Sequence, residues 1–517
     1  MTVRQKKFAE YRCFGGVAAM LNFSALRLTA FFLFAFFFSL AAKAPQLRPD
    51  LTADAARRDF KIMNAIFARS HATAFKQIPA REAPDIFKDL ESVSLGEFIG
   101  RILAYYGRIH VDHTMIGFSP ELIEAHGLKA RFFPLPLRFF GSRAFLDIQY
   151  KDLPLGVEIT HINGRAMADI ISGFAGFPRA ASGVSEWDSY YLGEQFASWY
   201  FLTGNAAAPW KLAYLGPNSE KPGLISVDPP VDGTQLRRAS TDREYFKPVL
   251  HSMFLDEKKI AYFAINSFMP AGSPYNTLES WMQYFGQFNT EARRRGAKTL
   301  ILDLRENRGG VMHLAAASAG WFTHTPITDQ SESSVHTRLL PYREFAIAIN
   351  GQRAKPADFD KLEKYLQTEF ADTIQDGYFA TRNRDARHVT IAPLHDAYRF
   401  EKIYVLIGHS TYSAAVYFAR LLKLAHPNVV LAGAETGSAG DGHSAETLVT
   451  YRLPESGIFF DVPLARVRFA PLLPGQVPGK GLKPDLMLAD TLADFRSRRD
   501  AVLEEVVRVV LTPAGEK

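Results

Sequence analysis

An apolar segment gives way to a helix at a serine. Residues 403–407 are apolar, a short turn follows, and a helix is predicted to begin near Ser413. The N–H groups and dipole of a helix N-terminus favour negative charge, which a serine nucleophile needs because its attack on a carbonyl creates an oxyanion. The small Ala414 and Ala415 would let a substrate backbone approach closely. Ser413 is therefore a candidate nucleophile; the alternative is a serine that only caps the helix.

A glycine pair follows a second apolar segment. Residues 299–304 form this segment, and a polar turn leads from it to Gly309 and Gly310, where another helix is predicted to open. Glycines at such a turn expose backbone N–H groups to a ligand. A phosphate-binding loop is the alternative, but the turn lacks both Gly-Lys-Ser/Thr and the spacing of a dinucleotide site. Asp303 and Arg305 are predicted to fix the turn rather than to react.

The elements that position these turns alternate between strand and helix. Strands are predicted over 260–268, 299–304, 402–407 and 429–432, and helices over 278–295, 311–322, 413–424 and 491–511. Such alternation implies βαβ units and a largely parallel sheet, so the predicted class of this part is α/β. Residues 327–398 are predicted to be a polar insertion, and 447–467 a β-rich stretch.

The chain upstream of this core shows two other patterns. Residues 50–110 are predicted to be mainly helical, with an amphipathic helix from Ser94 to Tyr106. In residues 131–245 the pattern favours strands, including a short strand that runs into an Asn163-Gly164 turn. Residues 175–225 show no pattern that supports an assignment.

Residues 1–44 indicate a secretory signal. Basic residues precede an uncharged run over 28–42, and Ala42-Lys43-Ala44 fits the small-x-small rule of signal peptidase. The run is shorter than the roughly 20 apolar residues of a membrane span. An uncleaved membrane anchor is the alternative, and Met20 as the true start would leave a signal of ordinary length. We therefore expect an exported protein, periplasmic or secreted, that meets a membrane only if the leader stays attached.

Charge and cysteine content exclude several classes of protein. The net charge is +6, but residues 1–44 contribute +5, so the rest of the chain is nearly neutral and a nucleic-acid-binding face is not indicated. Cys13 is the only cysteine and lies in the leader, which excludes thiolate nucleophiles, disulfides and Cys-ligated zinc from the mature chain. A chain of 517 residues predicts two or three domains.

Taken together, the motifs resemble the C-terminal processing (tail-specific) serine peptidases. The sequence Asp-Leu-Arg-x-Asn-x-Gly-Gly at 303–310 and Thr-Tyr-Ser-Ala-Ala at 411–415 match that family's central motifs. Residues 433–437 and 479–485 look like its later motifs, and 154–164 like the end of its PDZ-like module. The resemblance, which covers most of residues 55–495, implies a crotonase- or ClpP-like catalytic core. The implied order is an N-terminal helical region (45–130), a PDZ-like module (131–245) and the core (246–517).

The resemblance also implies a histidine base. Many members pair the serine with a lysine, but here the corresponding position is Ser438. Asp112-His113-Thr114 is similar to a motif of the histidine-using branch, which includes the tricorn core and chlamydial protease-like activity factor. His113 is then the general base, since a neutral imidazole can accept the hydroxyl proton near neutral pH.

Two alternatives for the histidines stay open. His110 and His113, with Asp112, could bind a metal, although no His-Glu-x-x-His and no third ligand are evident. His409, beside the nucleophile turn, is the rival base. The third member of a triad is open as well: histidine-using relatives carry a glutamate that is missing from residues 476–480 here, and Glu435 and Asp461 are the candidate substitutes.

The function that these features imply is a serine endopeptidase acting by acyl transfer on proteins or peptides. Ser413 would attack with His113 as base, and the N–H groups of Ala414 and of Gly309 or Gly310 would form the oxyanion hole. Neither a cofactor nor a metal is expected, and no motif specifies an oligomeric state. Because the lysine and the glutamate are both missing, a catalytically inactive binding protein on the same scaffold is the main alternative. Hydrolysis of a non-peptide ester is a third reading.

Overall fold

The computed structural model describes residues 50–73, 76, 78, 84–107, 114–118, 120–125, 128–177, 185–204, 208–217, 221–229, 248–382 and 388–512. Residues 1–44, predicted to be a leader, and the segment with His110, Asp112 and His113 lie outside these residues, so the predictions about them stay predictions. Within the described ranges, no helix is long and apolar enough to cross a membrane.

The described residues between 131 and 229 are called the upstream module below. The first half of the chain contains this module and the N-terminal helical part that precedes it. Its elements are β1 (Asp50–Thr52), α1 (Ala53–Ser70), β2 (Ser92–Ser94), α2 (Leu95–Tyr106), β3 (Ile116–Gly117), α3 (Pro120–Ala125), β4 (Leu137–Phe140), β5 (Arg143–Leu146), β6 (Glu158–Ile162), β7 (Arg165–Ala166), α4 (Met167–Ser172), α5 (Ser185–Leu202), β8 (Trp210–Leu215) and β9 (Gly223–Val227).

The second half contains the core. Its elements are β10 (Leu250–Leu255), β11 (Ile260–Ile265), α6 (Leu278–Arg295), β12 (Thr299–Asp303), α7 (Met312–Ala319), β13 (Ile327–Val335), β14 (Ala346–Ile349), β15 (Gln352–Arg353), α8 (Pro356–Glu369), β16 (Phe370–Gln375), β17 (Tyr378–Thr381), β18 (His388–Ile391), β19 (Lys402–Ile407), α9 (Ala414–Ala425), β20 (Val429–Gly433), β21 (Gly442–His443), β22 (Leu448–Arg452), β23 (Phe459–Pro463), β24 (Ala465–Ala470), β25 (Leu486–Met487), α10 (Leu492–Ser497) and α11 (Ala501–Leu511).

A six-stranded sheet carries both candidate turns. Its order is β10-β11-β12-β19-β20-β25, with β10 antiparallel to β11 and the other five strands parallel. Because successive side chains of a strand point to opposite faces, Phe263 and Val405 pack with α6, α7 and α9 on one face. Tyr262 and Leu406 pack with Val506 of α11 on the other face. The predicted α/β class is confirmed, and both turns lie at the carboxyl edge of this sheet.

Local signals set the ends of the core helices. Thr277 caps α6 in a reciprocal pair with Ser280, and Gly296 ends it in the left-handed conformation, which gives the bounds predicted for this helix, 278–295. The prediction of a single helix over 491–511 is wrong. Arg498 adopts a left-handed conformation (φ 57°) that ends α10, and the Asp500 side chain accepts from the Leu503 N–H to start α11.

Residues 327–391 and 442–470 build two further sheets together. One has the order β16-β17-β13-β24-β21, and the other β15-β14-β22-β23-β3. The predicted β-rich stretch is thereby confirmed. In the second sheet, Ile116 of β3 pairs with Phe460 of β23, so the chain just after the Asp112-His113 segment is fixed against residues 459–461.

The upstream module is a small sheet covered by a helix. Its strand order is β4-β5-β6-β8-β9, with β7 paired to β6. Asn163 (φ 51°) and Gly164 (φ 79°) form the predicted turn between β6 and β7. The stretch that the sequence left unassigned, 175–225, contains α5, β8 and the first residues of β9. Helix α5 lacks a single apolar stripe because its buried residues lie on more than one side, for example Trp199 and Phe201.

Candidate active site

Ser413 occupies a sharp bend between β19 and α9. Its backbone has φ 51° and ψ −119°, a conformation that is strained for a residue with a side chain. The Ser413 side chain makes no capping hydrogen bond to the helix that it precedes. The simple helix-cap interpretation therefore does not describe this serine, whose hydroxyl group is not used for capping the helix.

Ser438 holds the backbone of this bend. The Ser413 N–H donates to Ser438 Oγ at 2.8 Å, and Ser438 is 3% exposed. By the motif resemblance, Ser438 corresponds to the position at which many family members have a lysine. In this chain the side chain at that position is a buried hydroxyl group instead of an amine, and it accepts a hydrogen bond from the N–H of the candidate nucleophile.

The glycine pair packs directly against Ser413. A Cβ added to Gly309 would lie 2.8 Å from the Ser413 Cβ and 2.9 Å from the Ala414 nitrogen, so only glycine permits this approach. A Cβ on Gly310 (φ 136°) would clash with the Phe268 backbone. The two turns thus meet backbone to backbone.

The N–H groups at this meeting point differ in availability. The Gly309 N–H donates to the Asn307 side chain at 2.8 Å and is already engaged. Neither the Gly310 N–H nor the Ala414 N–H forms a hydrogen bond within the described residues. Of the three predicted oxyanion-hole residues, Gly310 and Ala414 therefore have N–H groups to offer a ligand, and Gly309 supplies the close packing.

Hydrogen bonds tie the two turns together. The Tyr412 N–H donates to the Asn307 carbonyl at 3.0 Å, and Thr411 Oγ1 donates to the Leu304 carbonyl at 2.9 Å. Asn307 Nδ2 also donates to the Ile265 carbonyl at 2.9 Å. A displacement of either turn is therefore passed to the other.

Arg305 anchors the glycine turn to the end of the chain. Its guanidinium group forms salt bridges with Asp303 at 2.6 Å and with Asp500 at 2.7 Å, and only 11% of its side chain is exposed. Tyr262 Oη donates to Asp303 at 2.7 Å. The prediction that Asp303 and Arg305 fix the turn is confirmed, while Asp500 was not found from the sequence.

The two turns lie within a part of the chain that matches a known peptidase family. Residues 259–487 match the model of peptidase family S41. This chain carries a peptidase family S41 domain. The matched span contains Ser413 and the glycine pair, and the family assignment makes the domain that of a serine-type peptidase. The family resemblance drawn from the motifs is confirmed.

Solved structures extend the likeness beyond the S41 domain. Mature CPAF complexed with lactacystin is similar at a TM-score of 0.58 and 13% identity, covering 89% of this chain and 98% of that one. Mature CPAF gives a TM-score of 0.56 and 13% identity, with 89% and 96% covered. The photosystem II D1 C-terminal processing protease gives 0.38 and 14%, with 89% and 98% covered. No curated protein matches the chain in sequence. At such identities the CPAF likeness shows the fold alone.

His409 of the S41 domain is a poorly placed base. Burial lowers its pKa to about 4, against the raising effect of a hydrogen bond to the Glu435 backbone. Its other ring nitrogen, Nδ1, is buried and has no hydrogen-bond partner among the described residues, Ser413 included. The ring is neutral at neutral pH, but its free lone pair does not reach the candidate nucleophile.

The segment that follows His113 is anchored on both sides. Thr114 Oγ1 lies 2.8 Å from Nε2 of the buried His71, a histidine that the sequence analysis did not single out. The Met115 carbonyl accepts from the Asp461 N–H at 2.8 Å. Asp461 is thus a neighbour of the chain two residues beyond His113.

The two candidate acids have different surroundings. Asp461 is 7% exposed and accepts from Thr450 Oγ1 at 2.6 Å, and burial raises its pKa to about 6. Glu435 accepts from the Gly481 N–H at 3.0 Å; burial raises its pKa, and Lys480 is among the groups that oppose this. Asp461 borders the segment after His113, whereas the Glu435 backbone borders the nucleophile turn through His409.

A polar cluster from the upstream module also meets the S41 domain here, and sequence reasoning missed it. Tyr190 Oη is hydrogen-bonded to Ser410 Oγ, and the Glu194 carboxylate pairs with Arg308. Nearby, burial raises the pKa of Glu306 to about 7, against the lowering effect of Arg308. No pattern in residues 175–225 pointed to these contacts. In the described part of the chain, no three His, Cys, Asp or Glu side chains are grouped to hold a metal.

Proposed function

We propose that the protein is an exported serine endopeptidase that cleaves peptide bonds by acyl transfer. The observation that carries this proposal is the strained bend of Ser413, whose side chain does not cap its helix and whose backbone packs against Gly309. A nucleophile at such a bend, next to unengaged N–H groups, has what acyl transfer requires.

In this mechanism, Ser413 Oγ attacks the scissile carbonyl while His113 accepts the hydroxyl proton. The N–H groups of Ala414 and Gly310 stabilise the oxyanion. His113 then returns the proton to the leaving amine, and a water molecule hydrolyses the acyl-enzyme by the same route. Asp461 is the favoured partner for the imidazolium, because its backbone is bonded to Met115. No cofactor or metal takes part in these steps.

The architecture that we propose is a crotonase- or ClpP-like core with a PDZ-like module. The parallel sheet with helices on both faces supports the first part, and the five-stranded sheet with α5 supports the second. Among the described residues, strand β9 pairs only with β8 and lies at the edge of its sheet, with Leu224 82% exposed. An extended peptide would bind this edge by strand addition.

The test is covalent labelling by a fluorophosphonate probe, with peptide cleavage measured in parallel. Wild type should be labelled, and Ser413→Ala should be neither labelled nor active. Ser94→Ala is the matched control, since Ser94 also precedes a helix but caps it by accepting from the Glu97 N–H. It should keep full labelling and lose only about 1 kcal/mol of stability. Absence of labelling and turnover in wild type at every pH would favour the inactive binding protein.

Export has its own test. In a secreting host, the N-terminus of the mature protein should lie at or near Pro45, because Ala42-Lys43-Ala44 precedes it. N-terminal sequencing that recovers residues 20–40 on the purified protein would instead support a membrane anchor.

A further inference from the structure

We propose that Tyr190 and Glu194, on helix α5 of the upstream module, are positioning residues that brace the two turns of the oxyanion hole. This inference rests on the proposed function. Neither residue is expected to touch the substrate; each acts through a residue of the catalytic turns.

One face of α5 reaches both turns. Tyr190 and Glu194 are spaced i, i+4 and so lie on the same side of the helix. Tyr190 Oη is bonded to Ser410 Oγ, three residues before the nucleophile. The Glu194 carboxylate is paired with Arg308, which directly precedes Gly309. A single helix of the module therefore holds the turn of Ser413 and the turn of the glycine pair at once.

The position of these contacts makes the spacing of the turns sensitive to them. Gly309 already lies so close to Ser413 that an added Cβ would be 2.8 Å from the Ser413 Cβ. The oxyanion donors proposed above, Gly310 and Ala414, lie one on each turn. A shift of one turn by about 1 Å changes the distance between the donors, and misplacements of this size cost catalysis up to about 100-fold.

The ion pair between Glu194 and Arg308 is largely shielded from solvent. Arg308 is 27% exposed and Glu194 15% exposed in their side chains. Burial alone would lower the pKa of Arg308, but Tyr190 and Glu194 raise it above its usual value. Without the Glu194 charge, Arg308 would be drawn to Glu306, the nearby carboxylate on its own turn. That new pairing would pull the glycine turn away from α5.

The test compares variants of the full chain by the rate of fluorophosphonate labelling. This small probe needs Ser413 and the oxyanion hole but no extended peptide site. Glu194→Gln should be labelled at least about tenfold more slowly. Tyr190→Phe, which removes only a hydroxyl group, should be slowed in the same direction. In peptide cleavage, kcat should fall while KM changes little, because the positioned groups act on the transition state.

Two further variants separate bracing from general damage. Glu363→Gln is the matched control: Glu363 is 15% exposed and paired with Arg343, 32% exposed, in the region of residues 327–391. It should be labelled at the wild-type rate. The charge swap Glu194→Arg with Arg308→Glu should recover part of the lost rate, because it restores the pair in reverse.

Three results would overturn the bracing role of Tyr190 and Glu194. Wild-type labelling rates in both Glu194→Gln and Tyr190→Phe would overturn it, as would an equal loss in Glu363→Gln. A charge swap that recovers nothing would also overturn the bracing role. If wild type itself is not labelled, the proposed peptidase function fails, and this result is distinct from a labelled wild type with unaffected variants.

Discussion

Asp461→Asn should stabilise the fold at neutral pH and slow catalysis. The carboxylate is 7% exposed, and burial raises its pKa from an ordinary value near 3.8 to about 6. The ionised form is thus disfavoured in the folded protein. Asparagine keeps an oxygen that can accept the hydrogen bond from Thr450 Oγ1 but removes the buried charge.

The change in the free energy of unfolding follows from the difference in the pKa of Asp461 between the folded and unfolded states. Between about pH 4 and 6 the folded state binds more protons at Asp461 than the unfolded state, so the free energy of unfolding falls as the pH rises. A rise of about two pKa units corresponds to about 3 kcal/mol lost by pH 7, as an upper limit. The asparagine variant should therefore be more stable than wild type by about 1–3 kcal/mol at pH 7 and by little at pH 4.

Urea denaturation of both proteins at several pH values measures this difference, and peptide cleavage measures its functional consequence. If Asp461 orients His113, kcat should fall by orders of magnitude while the fold gains stability. A stability difference that does not change between pH 4 and 7 would refute the linkage argument. A stabilised variant with normal turnover would remove Asp461 from the triad and leave Glu435, to be tested as Glu435→Gln.

Four other predictions concern the same site. Ser413→Ala and His113→Ala should each abolish nearly all turnover, and the double variant should be little worse than either, since the members of a triad act as a unit. The acylation rate of wild type should rise through an apparent pKa of about 6–7 and stay flat to about pH 9; a single rise above about pH 8 would contradict a histidine base. Ser438→Ala should lower kcat about tenfold with a small loss of stability, measured by steady-state kinetics and urea melts, because the Ser413 N–H loses its acceptor. Asp500→Asn keeps an oxygen to cap α11 but removes one of the two carboxylate charges paired with Arg305, and should lower the free energy of unfolding by about 1–3 kcal/mol in urea melts; an unchanged midpoint would contradict it.

The helices and strands of the core were predictable because caps, stop residues and apolar runs within short stretches of sequence specify them. Helix α6 has its cap at Thr277 and its stop at Gly296 within one continuous stretch, and its predicted bounds agree with the structure. Strand β19 is a compact apolar run and also appears where it was predicted. Ser413 and the glycine pair were found because they interrupt such elements at fixed places.

The supports of the site were not predictable, because they depend on contacts between distant parts of the chain. Glu194 lies 114 residues from Arg308, and Asp500 lies 195 residues from Arg305. Helix α5 was missed because aromatic side chains such as Trp199 are buried on more than one side and leave no single stripe. The single helix predicted over 491–511 failed because Asp500 caps a second helix, which a reading of apolar spacing does not detect.

Ser438, which the motif resemblance places at the lysine position of the family, bears on the proposed source of the base. A lysine there would need its amine within reach of the Ser413 hydroxyl group, but Ser438 is a short side chain already bonded to the Ser413 N–H. His409 is turned toward the Glu435 backbone, and its second nitrogen is enclosed. The chain that follows His113 is held by the Asp461 backbone on β23. A base supplied by His113, as proposed above, would leave Ser438 free to hold the nucleophile, and a role for Asp461 as its partner would account for a buried carboxylate whose ionisation costs stability.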